Sequence, residues 1–440
     1  MEHVGAIQYR ESKLFLDNSA TNSEKLSRGK LIAHETAHMW FGDLVTMKWF
    51  NDVWMKEVFA NFMADKIMNP AFPDINHNLQ FLTAHYSSAY DEDRTKGSHP
   101  IRQNLTNLKN AGSLYGSIIY NKAPIMMRQL ETTMGKEVFQ KGIQKYIQKY
   151  ANSNADWEDL VEILDKGTTL NMKKWSDVWV NQSGRALFTD HIEYGDAQTI
   201  KNFVLRQQAE DGSPNVWPQI FEIGLVYPDT IKVIQVNVNS RITEIKEAIG
   251  LQKPISVIYN YNGYGYGVFP IDPNNLDKTP EIKDEVARAY SYINAYENTL
   301  TGKITAVKAF DVFVKGIAVE QNELIVKLLS NQLSSIFWDF LTIKQQVVAQ
   351  AELEQLLFNK LQTELPSNIK KTIFGLFESI AYSKTGKEKL YQIWNKEIAI
   401  ANLKLNEDDY INMAMDLAIY NHERSDEIVR KTRAVISIFF

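Results

Sequence analysis

Residues 31–65 read LIAHETAHMWFGDLVTMKWFNDVWMKEVFANFMAD. They hold His34-Glu35-Thr36-Ala37-His38, an H-E-x-x-H pattern, and after eighteen intervening residues Glu57. Residues four apart on a helix share a face. His34 and His38 can therefore offer both imidazoles to one metal ion. Glu35 projects near the same place without needing to bind the metal, which leaves it free as a general base. A catalytic zinc takes three protein ligands and keeps a fourth position for water. Glu57, early in a second apolar-periodic segment over 54–62, is the expected third donor. The competing reading is an ordinary helix with two satisfied histidines. Against it, the apolar neighbours Leu31, Ile32, Ala33, Ala37, Trp40 and Phe41 would bury this helix. A buried pair of imidazoles beside a carboxylate needs a partner such as a metal.

The run HETAHMWFGDLVTM (34–47), followed by Trp54-Met55-Lys56-Glu57, resembles the zinc aminopeptidases of the aminopeptidase N family, which are gluzincin metallopeptidases. The resemblance implies one Zn2+ per chain held by His34, His38 and Glu57, with Glu35 as general base. Two positions depart from the family pattern: Lys56 stands where Asn is usual and Val58 where Gly is usual. Met1-Glu2-His3 resembles the tail of the family's Gly-x-Met-Glu-Asn loop, with His3 in place of Asn. That loop's Glu holds the free α-amino group of the substrate, so Glu2 is the implied anchor. Tyr120-Asn121-Lys122-Ala123 resembles a Tyr-x-Lys-Gly setting, with Ala for Gly. Tyr120 is then the implied donor to the oxyanion; from the residues alone, Tyr115 and Tyr120 are not separable.

The implied activity is zinc-dependent removal of N-terminal amino acids from peptides. Other readings remain open at this point. One is an inactive or weakly active zinc-binding fragment; the other is a zinc endopeptidase or epoxide hydrolase on the same fold. The family's N-terminal β domain is expected to lie before Met1, and the C-terminal helical domain to be cut short.

Composition narrows the partners. The net charge of -5 over 440 residues gives no reason to expect a nucleic-acid partner. With no cysteine there is no disulfide, and a metal must be held by His and carboxylate. No apolar run approaches the length of a membrane span, and the first residues are not a signal peptide. A soluble chain is expected, with the compartment open between cytoplasm and periplasm and the oligomeric state open, a monomer being favoured; the resemblance implies peptides with a free N-terminus as partners.

Along the chain, residues 11–30 read as a strand end and a polar loop, with Ser27 as a cap for the zinc helix. Asp52 reads either as an acceptor for a ligand imidazole or as a helix N-cap. Residues 73–110 read as short helical pieces between loops, and His77, His85 and His99 show no ligand spacing. Helices dominate to Trp179, one of them capped by Asp156. From 186 to 272 the period changes to that of short strands, with Asn262-Gly263-Tyr264-Gly265-Tyr266-Gly267 as turns. Helical spacing returns from Asn274, and the chain ends on an apolar segment over 434–440. The resemblance and this pattern together imply a multidomain α+β chain. A thermolysin-like, mostly helical peptidase domain spans 1–185, a β-sandwich 186–272 and an α-helical domain 273–440.

Overall fold

The computed structural model describes residues 2–16, 20 and 22–436, without the side chains of Glu2, Asn22, Ser23, Ser113 and 433–436. The apolar end over 434–440 thus lies outside the described residues, apart from the backbone of 434–436. The chain divides into two compact units, 1–270 and 271–440.

The first unit opens with a two-stranded hairpin, β1 (Glu2–His3) and β2 (Ala6–Ile7), and a short helix α1 (Glu11–Leu14). Helix α2 (Asn22–Ala37) carries the first half of the metal motif and α3 (Val53–Met68) the second. Between them, β3 (Val45–Met47) pairs in parallel with β4 (Ser153–Ala155). The sequence placed a loop where α2 begins. NSEKLS holds good helix formers and no breaker, so the helix starts upstream and Ser27 lies inside it rather than at its cap. The two helices approach closely at Gly29, where a Cβ would collide with the Met68 side chain. Lys30 ties the same pair through Asp65 at 2.7 Å.

Helix α4 (His77–Asp93) is one continuous element, where the sequence had suggested broken pieces. Asn76 caps it, its side chain accepting from Leu79 N–H, and Leu79, Leu82, Tyr86, Ala89 and Tyr90 form its buried stripe. Next come a π-helical turn over Ile118–Lys122, α5 (Ala123–Met134), α6 (Lys136–Tyr150), α7 (Trp157–Asp165) and α8 (Met172–Asn181). Asp156 caps α7 as the sequence indicated, in a reciprocal box with Asp159.

The strands follow. β5 (Ala186–Tyr194), β6 (Ile200–Ala209), β9 (Ile242–Glu244) and β11 (Gly267–Val268) make one sheet in the order β11-β5-β6-β9. β7 (Gln219–Val226), β8 (Ile231–Val238) and β10 (Ser256–Tyr259) make the other, ordered β10-β7-β8. The sheets face each other through aromatic pairs: Phe188 on β5 meets Phe221 on β7 at 5.7 Å between ring centres, and Phe203 on β6 meets Tyr259 on β10 at 6.5 Å. The glycine-rich run is more than a turn. Tyr264 O accepts from the Tyr86 hydroxyl on α4 and from Gln129 Nε2 on α5, at 3.0 and 2.7 Å. The strands are thereby fastened to α4 and α5.

The second unit is helical: α9 (Glu285–Leu300), α10 (Ala306–Val319), α11 (Glu323–Ser335), α12 (Ile343–Gln362), α13 (Ser367–Ile380), α14 (Lys384–Trp394), α15 (Glu407–Ile419) and α16 (Ser425–Ile436). Among the described residues no helix is long and apolar enough to cross a membrane.

Glu378 on α13 gives this unit a pH signature. Burial first, then Asp416 and Asp409 of α15, push its carboxyl up to about 8, against the opposing charge of Lys371. A folded-state pKa above the unfolded one means stability that is complete below the unfolded value and lost as pH rises through the folded value. The window here runs from the ordinary 4.5 to about 8. Glu378→Gln should match the native chain in urea midpoint near pH 4.5 and exceed it near pH 8.5. Equal midpoints at the higher pH would contradict this.

Candidate metal centre

The centre is built where α2 ends. His34 lies inside the helix and His38 one residue beyond its last turn, still bonded from its backbone N–H to His34 O at 3.2 Å. The two Nε2 atoms stand 3.1 Å apart. Glu57, one turn into α3, brings Oε2 to 3.5 Å from His34 Nε2 and 3.9 Å from His38 Nε2. One donor atom from each residue lies within 4.8 Å of the others, the one such group among the described residues. His38 and Glu57 are buried and His34 is half-buried.

The far sides of the rings decide what the near sides can do. His38 Nδ1 faces the carbonyl of Phe41 at 3.0 Å. A carbonyl only accepts, so Nδ1 carries the proton and Nε2 turns a lone pair inward. His34 Nδ1 faces Asn61 Oδ1 at 2.9 Å, with the same consequence. The turn that brings Phe41 O into place needs Gly42, whose φ is +142° and whose Cβ would lie 3.3 Å from His38 O. Phe41 then stacks on Phe59 of α3 at 4.8 Å, which holds the turn against the second helix.

Glu57 completes the set as a carboxylate. Burial pushes its carboxyl up, but the contact with His34 and the charge of Lys56 act against it, and the net direction is down. Lys56 Nζ sits 3.5 Å from Oε1, on the side away from the imidazoles. Two inward lone pairs and a carboxylate oxygen therefore converge on one point. A proton there can satisfy two of the three; a metal ion satisfies all of them. Donors 2.0–2.1 Å from a tetrahedral ion stand about 3.4 Å apart, and the observed 3.1, 3.5 and 3.9 Å bracket that value. These residues fit a metal ion.

Other expected residues are placed as follows. Glu35 is buried beside His34, and its charge, after burial, raises the pKa of Tyr9. Tyr120 lies in the π-helical turn, a distortion that recurs at functional sites. Its ring stacks on Tyr115 at 6.3 Å, and the two are 38 % and 37 % exposed, so exposure does not separate them. The neighbours of Tyr120 are tied down: Asn121 Oδ1 meets His85 Nδ1 at 3.3 Å, and Lys122 is fully buried. Glu2 has its backbone in β1, but its side chain is outside the described residues.

Asp52 stands at the N-cap position of α3, as one of its two readings expected, but not as a bonded cap. It makes no side-chain cap bond to α3 and no bond to a ligand imidazole; Oδ2 accepts from Arg102 Nη2 at 2.9 Å. Burial pushes its carboxyl up to about 6 against the pull of Arg102. His77 and His99 bond backbone carbonyls, of Phe72 and Pro100, and take no part in the centre. Asn61 escaped the sequence reading, although its place one turn after Glu57 set it on the same helix face. The Phe41 carbonyl carried no residue-type signal at all.

Residues 1–179 match the family described as "Peptidase family M1 domain". "Probable aminopeptidase 1" of Sulfurisphaera tokodaii is 26% identical over 344 residues, covering 77% of this chain and 42% of the relative. "Aminopeptidase N" of Streptomyces lividans is 27% identical over 354 residues, 76% of this chain and 41% of the relative. "Puromycin-sensitive aminopeptidase" of Caenorhabditis elegans is 37% identical over 185 residues, 42% of this chain and 20% of the relative. The chain thus spans less than half the length of these curated relatives. Helices α2 and α3, which carry His34, His38 and Glu57, fall within the matched segment.

Proposed function

We propose that this chain is a zinc-dependent aminopeptidase. The observation that carries the reading is the convergence of His34, His38 and Glu57 on one point, with the buried Glu35 next to His34 in sequence, inside the M1-matched segment. The names of the relatives support peptides as the substrate class.

His34, His38 and Glu57 would hold the zinc. When bound, the ion polarises a carbonyl and lowers the pKa of water toward about 7. Glu35 accepts the proton of the attacking water and delivers it to the departing amine. The Tyr120 hydroxyl donates a hydrogen bond to the oxyanion of the tetrahedral intermediate. Glu2 pairs with the substrate's α-ammonium group and so limits cleavage to the first peptide bond. The same reading divides the chain into a thermolysin-like peptidase domain over 1–185, a β-sandwich over 186–272 and an α-helical domain over 273–440. The two facing sheets and the helical second unit support that division.

Substrate discrimination tests the activity. Zinc-loaded protein should hydrolyse alanyl and leucyl anilides, leave their N-acetylated forms intact and lose activity on chelation. Cleavage of the acetylated forms would favour an endopeptidase, and zinc without turnover an inactive fragment. Roles within the site separate by substitution. Glu35→Gln should cut kcat by about 10²–10⁴-fold with zinc retained, and Tyr120→Phe by about 10²–10³-fold with KM little changed. Native kcat in Tyr120→Phe would pass the oxyanion role to Tyr115.

A further inference from the structure

Two residues after Tyr120 the chain buries a charge. Lys122 Nζ lies 2.7 Å from Asp93 Oδ2, and neither side chain has exposed surface. Every oxygen of Asp93 is engaged. Oδ2 also accepts from the Tyr266 hydroxyl at 2.7 Å, and Oδ1 accepts from Ser98 Oγ at 2.9 Å and Gly184 N–H at 3.3 Å. Lys122 donates a second bond to Gly184 O at 2.8 Å. The pair thus joins the end of α4, the π-helical turn, the segment after α8 and the glycine-rich run beside β11.

Burying an ion pair gains little over burying two apolar residues, because desolvation offsets the attraction. What such a pair supplies is a fixed position. The π-helical turn holds an extra residue, and relaxing it to α-helix would shift the register by one. One residue in a helix is a rotation of about 100°, enough to turn Tyr120 off its present direction. Lys122 opposes that shift, because its ammonium is held by fixed acceptors on two other segments.

We propose that Lys122, clamped by Asp93, is a positioning residue for Tyr120: the buried pair locks the π-helical register that aims the tyrosine. The proposal rests on the oxyanion role given to Tyr120 above. It also assigns the glycine-rich run a part in the site, since Tyr266 anchors Asp93.

A double-mutant cycle on zinc-loaded protein tests it. Lys122→Met is combined with Asp93→Asn, so that no buried charge is left unpaired. Zinc content and KM should hold, and kcat for leucyl anilide should fall about tenfold or more. Adding Tyr120→Phe should then cost less than about threefold, against about 10²–10³-fold in the native chain. Losses that multiply independently, or zinc lost with the pair, would overturn the proposal. A second readout needs no turnover. Fluorotyrosine at position 120 should give one sharp fluorine resonance in the native protein. That resonance should shift and broaden in the charge-free variant while circular dichroism is unchanged; an unaltered resonance overturns the proposal. If the charge-free variant does not fold, Tyr266→Phe removes only one donor to Asp93 and takes the same two measurements. If the native protein turns over no substrate, the functional reading fails, and the fluorine signal still decides the positioning.

Discussion

Two imidazole lone pairs pointing at each other from 3.1 Å are the constraint on which the rest of this unit depends. Nothing in a folded chain holds such an arrangement without reason, because like ends of two dipoles repel and a buried carboxylate beside them adds to the cost. Each ring is turned inward by an acceptor behind it, the Phe41 carbonyl and Asn61 Oδ1. Those acceptors set the tautomer and the ring plane together, which is the usual way a metal site is prepared by the groups around its ligands. A cation between the three donors converts the repulsion into binding.

Preparing that point takes more structure than the three donors. The Gly42 turn must carry Phe41 back over His38, and Phe41 must stack on Phe59 so that the turn stays against α3. Lys30 on α2 and Asp65 on α3, 2.7 Å apart, tie the two helices together. Beyond α3 the layer continues through Trp54 and Trp157, whose rings meet at 4.9 Å. Deleting a buried aromatic side chain of this kind typically costs about 3–5 kcal/mol. The strands then close the other side, with Tyr264 and Tyr266 reaching back to α4 and α5. Loss of geometry at any of these layers would be felt first in the separation of the donors.

How much of this was legible in the sequence varied with the range of the interaction. His34, His38 and Glu57 were readable because i, i+4 spacing and an apolar neighbourhood are local properties. The Asp156 cap was readable for the same reason. The failures are of longer range. Ser27 looked like a cap because the residues before it are polar, yet polar helix formers continue α2 upstream on an exposed surface. The α4 stripe was hidden by polar residues on its outer face, and only the tertiary partners of Tyr86 and Tyr90 show why it stays helical through Asp93. Asp52 drew a local assignment, but its partner Arg102 is fifty residues away in sequence. Lys122 sits in a stretch recognised for its tyrosine, while Asp93 and Tyr266 carried no signal that they would meet it.

The most direct test of the central claim is X-ray absorption at the zinc edge of the zinc-loaded protein. The chain has eight histidines and no cysteine, so counting imidazoles in the first shell identifies the site. The account predicts one zinc per chain with two imidazole nitrogens and the remaining donors oxygen, at about 2.0–2.2 Å. An imidazole count other than two, or a spectrum unchanged when His38 is replaced by alanine, would contradict it.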